Sequence, residues 1–362
     1  MANVRAAEAV VPCVELEPTL TFFTERLGFR LDAIFPADDP AVAVISGHGL
    51  RLRLERGPGG APGALRLACQ DPAALAGGAQ ALVAPNGMRI ELVRADAPPA
   101  LPPLQPAFVL TRMSPESGWL EGRAGMRYHD LVPERLGGHL VASHIRIEQG
   151  GPVSDYVHFH EVRFQMIYCW RGWVRVVYED QGPPFVLASG DCVLQPPRIR
   201  HRVLASSPGC EVIELSAPAE HETRVDHELV LPTPLVRRER DFTGQRFVRH
   251  ERASAAWRPW RVDGFEARDL GIAAATRGIA SACVARVAGA RRRELHQQEP
   301  ELRFVFVLQG AATLECDGRH AEPLGAGDAL VLPSGSGHGF VRCSPDLELL
   351  EVAMGPQGSG TA

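Results

Sequence analysis

His158 and His160 stand two residues apart, and His201 follows after the turn at Gly190-Asp191 and the apolar run Cys192-Val193-Leu194. The stretch Val157-His158-Phe159-His160 reads as a strand, whose two-residue alternation puts both imidazoles on one face and Phe159 on the other. A return strand carrying His201 could bring a third neutral nitrogen donor to the same point, a set that suits one divalent metal.

The pattern occurs twice. His296, Gly310, Gly327, Pro333 and His338 repeat His158, Gly172, Gly190, Pro196 and His201 at an offset of about 138 residues that drifts by one. Gly264 to Asp269-Leu270 likewise overlies Gly125 to Asp130-Leu131. The repeat unit is a whole β-domain of roughly 120 residues, too long for a solenoid repeat. The copies differ where the chemistry would lie. The second has His296-Gln297-Gln298 in place of His-x-His, and Arg303 at the position of Gln165. A guanidinium cannot ligate a cation and opposes one nearby. One metal site is therefore expected, in the first copy, with His296, Gln298 and His338 a weaker second set.

The arrangement resembles the cupin superfamily, specifically a bicupin, over roughly residues 116 to 356. His158, His160, Gln165 and Gly172 occupy the family's first motif, Gly190, Pro196 and His201 the second, with Arg198 where the second motif has its inner glycine. The resemblance implies a mainly β protein built of two antiparallel jelly rolls, and a metal held by His158, His160, Gln165 and His201. Gln165 replaces the usual acidic ligand. A cation held only by neutral donors keeps its full charge and favours an anionic ligand in its open positions. Fe(II) suits three imidazoles, and Mn, Ni, Co, Cu and Zn also bind such sites.

Ile167 and Cys169, at alternate positions from Gln165, are expected to face the same cavity, with Tyr156, Arg163 and Glu214 as further candidates. Arg163 could clamp a carboxylate, but pairing with Glu161 on the rim is the simpler expectation. The leading expectation from the resemblance is an Fe(II)-dependent dioxygenase acting on a small anionic organic molecule. A non-redox isomerase or epimerase type of reaction, with Glu161 or Glu214 moving a proton, stays open, as does a non-catalytic binding role.

Upstream lies a different object. Val10 to Leu16 reads as a strand, Pro18 to Leu27 as an amphipathic helix with Phe22, Phe23 and Leu27 inward, and Phe29 onward as strands ending in Leu50-Arg-Leu-Arg-Leu54. An abbreviated copy runs from Ala64 to Val93. The phrases Phe22-Phe23 and Arg26-Leu27-Gly28-Phe29 resemble the glyoxalase/bleomycin-resistance (vicinal oxygen chelate) family, whose modules are βαβββ. Glu91 fits that family's last-strand ligand position, but Val10 and Arg53 occupy other ligand positions, so a degenerate α+β domain is expected over residues 1–96. Ala97-Pro-Pro-Ala-Leu-Pro-Pro103 begins a proline-rich linker over 97–115. The cupin domains then span 116–232 and 233–356, and 357–362 reads as a disordered tail. His221 and His227 read as solvated linker residues.

At 362 residues and 45% hydrophobic content the chain can bury several cores. A net charge of −5 gives no signature for nucleic acid. No apolar run approaches a membrane span and no secretory leader is legible, so a cytoplasmic protein with a small-molecule substrate is expected, with a homodimer possible. Eight cysteines without a Cys-x-x-Cys pair read as buried small hydrophobes. All 38 basic residues are arginine, which excludes Schiff-base chemistry and a phosphate-loop lysine.

Overall fold

The computed structural model describes residues 4–57, 60–79, 81–95, 99–113, 118–289 and 300–355. The chain divides into two compact units, Met1–Ala97 and Pro98–Ala362, and is mainly β.

In the first unit, strand Ala9–Cys13, helix Leu16–Thr21 with its continuation Phe22–Arg26, and strands Arg30–Phe35, Val42–Gly47 and Leu50–Arg56 follow one another. The first strand pairs in parallel with the last, so the helix is the crossover between them. Phe23, Leu27 and Phe29 pack with Ile45 and Leu54 in the core, while Phe22 is only partly buried. The second run, Ala64–Cys69, helix Pro72–Ala76, Ala81–Val83 and Arg89–Arg94, repeats this plan with one strand fewer.

In the second unit each half forms a barrel of two facing sheets, which among the described residues have seven strands with six in the first and seven with three in the second. Strand alternation divides the labour. Phe164, Met166, Tyr168 and Trp170 of the Phe164–Arg171 strand meet Leu302, Phe304, Phe306 and Leu308 of the Leu302–Gln309 strand in one shared core between the barrels. The intervening residues point inward: Ile167 and Cys169 into the first barrel, Val305 and Val307 into the second. Trp170 Nε1 donates to the Leu308 carbonyl at 2.9 Å across that core.

The halves also exchange edge strands. Val109–Thr111, within the segment read as a linker, pairs with Ala329–Val331 of the second barrel, and Val248–His250, within the span read as the second domain, pairs with Cys192–Leu194 of the first. The turn glycines are shaped for this. Gly190 (φ +92°) and Gly327 (φ +94°) would each drive a Cβ into the arriving segment, at Arg252 and at Met113. The following aspartates tie it down, Asp191 Oδ1 accepting from Arg252 N at 2.8 Å and Asp328 Oδ1 from Met113 N at 2.9 Å. A three-residue run carries no pattern naming its partner sheet, which is why sequence reading assigned both segments to the nearer stretch of chain.

Candidate metal centre

His158 lies directly opposite His201 in the antiparallel pairing of His158–His160 with His201–Ser206. His160 is on the same face, two residues on. Ring centroids of His158 and His201 stand 4.2 Å apart, and His160 is 5.2 Å and 5.3 Å from them. One ligand nitrogen from each imidazole falls within 4.8 Å of the others. The opposite nitrogens are held: His158 Nδ1 donates to the Tyr156 carbonyl at 2.8 Å, His201 Nδ1 to the Ile199 carbonyl at 3.0 Å, and His160 Nδ1 bonds the Thr223 hydroxyl at 2.9 Å. The carbonyl partners of His158 and His201 favour the tautomer that leaves Nε2 as a lone-pair donor. His158 Nε2 is buried and has no hydrogen-bond partner, the condition of a nitrogen built for a cation.

The electrostatics agree. Burial, then the neighbouring imidazoles His158 and His160, hold His201 well below the ordinary histidine range. Burial, then His158, His221 and Arg123, push His160 down to about 2. Burial and the Arg123 guanidinium lower His158. Neutral imidazoles are the ligating form, so the residues present fit a divalent cation.

Gln165 is buried on the neighbouring sheet, and its Nε2 donates to Glu214 Oε1 at 2.9 Å. Gln165 faces Ser216 and Ile167 faces Glu214 in the pairing with Cys210–Ala217, so the amide and the carboxylate are diagonal neighbours on the inner face. The site is therefore not free of protein negative charge, as the ligand motif alone suggested, because a carboxylate stands one residue pair from the amide. Beyond them lies an enclosed cavity of about 60 Å³, walled by Ile145, Ile167, Val176 and Val212 and reached by Arg123, His160, His201 and Glu214. Tyr178 closes one side, stacked on His201 at 5.5 Å, with its hydroxyl accepting from Gln195 Nε2 at 3.0 Å. Tyr128 also lines it, its hydroxyl raised to about 12 by burial and by Glu214.

Arg123, Asp155, Tyr128, Tyr178 and Gln195 escaped sequence reading. Arg123 Nη1 donates to Asp155 Oδ1 at 2.7 Å, and the Asp155 side chain is fully buried beside His158. No offset signal marks Arg123, since the local offset of 139 residues places Val262 at its position. The other candidates are placed differently. Tyr156 is 42% exposed and contributes its carbonyl rather than its ring to His158. Arg163 does not line the cavity and does not pair with Glu161, which takes Arg198 at 2.7 Å and Arg224 at 3.6 Å instead. The chain bends at Arg163 before the strand begins, so strand parity extrapolated back from Gln165 fails there. His221, read as a linker residue, stands 5.4 Å ring to ring from His160.

In the second barrel His296 and Gln298 lie outside the described residues. His338 is buried, with Nδ1 donating to the Ser336 carbonyl at 3.0 Å. Where the first barrel has Gln165 and Glu214, the second has Arg303 in contact with Glu351, and Arg261 Nη2 donates to Glu351 Oε2 at 2.5 Å.

Residues 284–352 match the family model for a cupin domain. They lie within the second barrel, whose plan the first repeats. No curated protein matches the sequence. Among solved structures, oxalate decarboxylase from Bacillus subtilis at pH 4.6 is similar at 15% identity over 83% of this chain and 85% of that one, with a TM-score of 0.50. The Lactobacillus farciminis oxalate decarboxylase formate complex aligns at 16% identity over 71% and 90%, with a TM-score of 0.49. Protein Ylba from E. coli aligns at 12% over 72% and 97%, with a TM-score of 0.48. The first of these likenesses speaks to the fold alone. No helix among the described residues is long and apolar enough to cross a membrane.

Proposed function

We propose that the chain is a metal-dependent bicupin enzyme with one metal centre in its first barrel, and that it oxidises a small organic anion as an Fe(II)-dependent dioxygenase. The observation that carries the reading is the convergence of three neutral, back-bonded imidazoles, His158, His160 and His201, at the edge of a small apolar cavity. A cation bound there supplies a Lewis-acid centre for an anionic oxygen and, as Fe(II), reactivity toward dioxygen. The protein does the rest. The Arg123 fork, already oriented by Asp155, offers its remaining N–H groups to a substrate carboxylate. Glu214, steadied by Gln165 and Ser216, accepts at its carboxylate the proton that a substrate hydroxyl loses on binding. The Ile and Val wall excludes water.

One observation favours a second reading. Glu214 is placed as a general base whatever the metal, which would equally serve non-redox proton transfer or loss of a carboxylate group. The test is metal content with oxygen uptake on a panel of hydroxy and keto acids. Iron with substrate-dependent oxygen consumption supports the dioxygenase; turnover without oxygen, on zinc, nickel or manganese, would replace it with the non-redox reading.

The strand order of the described residues between 4 and 95 supports a degenerate glyoxalase/bleomycin-resistance-like module. Val10 offers no donor, Arg53 is paired with Glu55 at 2.5 Å, and Glu91 with Arg89 at 2.7 Å. A cytoplasmic location and a homodimer belong to the same proposal.

A further inference from the structure

The second barrel repeats the first position by position, yet its chemistry is inverted. Arg303 replaces Gln165 and Glu351 stands where Glu214 does, while Arg261 lies one residue before Val262, the position that overlies Arg123. The sheet register is conserved too: Val305 faces Glu351 as Ile167 faces Glu214. Two guanidiniums thus converge on one carboxylate in the mouth of the barrel. Arg303 and Glu351 are each 7% exposed at the side chain, and Arg261 is 30% exposed. Asp269, at the rim, is exposed and turned to the Gly271 N–H at 2.8 Å.

This cluster lines a cavity of about 610 Å³ with Trp260, Cys283 and the small residues Ala280 and Ala353. Arg303 Nε is buried without a hydrogen-bond partner. Arg261 stacks on Trp260, its Cζ 4.4 Å from the ring centroid, which fixes the plane of the fork while leaving its edge open. Burial lowers the Arg303 pKa, with a smaller contribution from Arg261, against the opposing pull of Glu351. Burial pushes the Cys283 thiol up to about 12, so no thiolate competes for the cations.

We propose that the second barrel binds a small organic carboxylate without a metal, the anion resting in the Arg261 fork against Trp260 and completing the charge balance of the Arg261–Arg303–Glu351 cluster. A planar fork recognises a carboxylate with two parallel N–H bonds, and the space above Ala280 and Ala353 admits a compact apolar body. The proposal does not depend on the first-barrel reaction. The two sites read opposite chemistry, one a cation through neutral donors, the other an anion through fixed cations.

The test uses metal-stripped full-length His160→Ala protein, which removes anion capture by a first-barrel metal, titrated calorimetrically with benzoate and with benzyl alcohol as its uncharged counterpart. The expected result is one benzoate per chain with millimolar or tighter affinity, no saturable binding of benzyl alcohol, and affinity weakened roughly tenfold or more by Arg261→Gln. Arg261→Lys keeps the charge and the Glu351 contact and should fold normally, yet should weaken benzoate because it loses the fork. Absence of saturable benzoate binding, equal binding of the alcohol, or undiminished binding in both arginine variants would overturn the proposal.

Discussion

Glu214 and Glu351 occupy the same position in the two barrels, and replacing each by glutamine should have very different consequences. Glutamine matches glutamate in shape, so the change removes charge without opening a cavity. Glu214 is held by neutral donors, Gln165 Nε2 at 2.9 Å and Ser216 Oγ at 3.2 Å, and the new amide oxygen can still accept from one of them. The expected cost is about 1 kcal/mol. Glu351 is held by two guanidiniums, one of them almost fully buried. A unit charge pair at ~4 Å is worth about 4 kcal/mol at an effective dielectric of 20, and stripping one partner from a buried pair costs about 3–5 kcal/mol. The partly exposed Arg261 contact is screened and adds little, so Glu351→Gln should cost about 3–4 kcal/mol. For a folding unit of this size that is a fall in Tm of roughly 6–16 °C, against about 2–4 °C for Glu214→Gln. Both are read from thermal and urea unfolding of metal-free protein at pH 7, with m compared to confirm that only stability has changed. If the two variants melt together, the buried ion cluster of the second barrel does not carry the weight assigned to it.

Further outcomes follow from the same geometry. His158→Ala, His160→Ala and His201→Ala should each lose the bound metal, whereas His338→Ala should keep the wild-type metal content by mass spectrometry; equal loss in all four would end the one-site assignment. Glu214→Gln should retain metal while turnover falls by about 10²-fold or more, and unchanged turnover would remove it as the base. Arg198 stands at φ +63°, where its counterpart Gly335 has φ +77°, so Arg198→Gly relieves about 1 kcal/mol of backbone strain at the expense of the surface contact with Glu161, leaving Tm unchanged or slightly raised; a clear fall would show the ion pair to matter more than the backbone. Burial alone would raise the Asp180 carboxyl, but hydrogen bonds from Arg240, Arg237 and Thr233 outweigh it and hold the group below its ordinary value. A depressed carboxylate pKa contributes stability above the unfolded value of about 4, and that contribution is lost as pH falls through the folded value. Asp180→Asn should therefore melt below wild type at pH 7 and converge with it in acid; a constant gap across pH would refute the charge assignment.

The convergence of His158, His160 and His201 was legible because its information is local. Two residues of strand alternation put His158 and His160 on one face, and the glycine-proline framework announces the turn that returns His201. The repeat was legible for the same reason: offset identity needs no coordinates. The departure of the second copy from the first motif was legible in Arg303, whose type cannot ligate.

What only the tertiary structure decided is what crosses between strands. Gln165 and Glu214 meet because two distant strands pair in one register, and a shift of one residue would have sent the carboxylate into the inter-barrel core instead. Arg123 pairs with the buried Asp155 beside His158 only once the short turn at Arg123–Gly125 has formed. The exchange of Val109–Thr111 and Val248–His250 between barrels was invisible for a related reason. A three-residue strand holds too little pattern to name its partner, and the free edges of the two sheets decide where it pairs. Sequence thus determines which residues can hold a cation or an anion, because residue type and parity are local, while register and strand exchange decide which of them share a cavity.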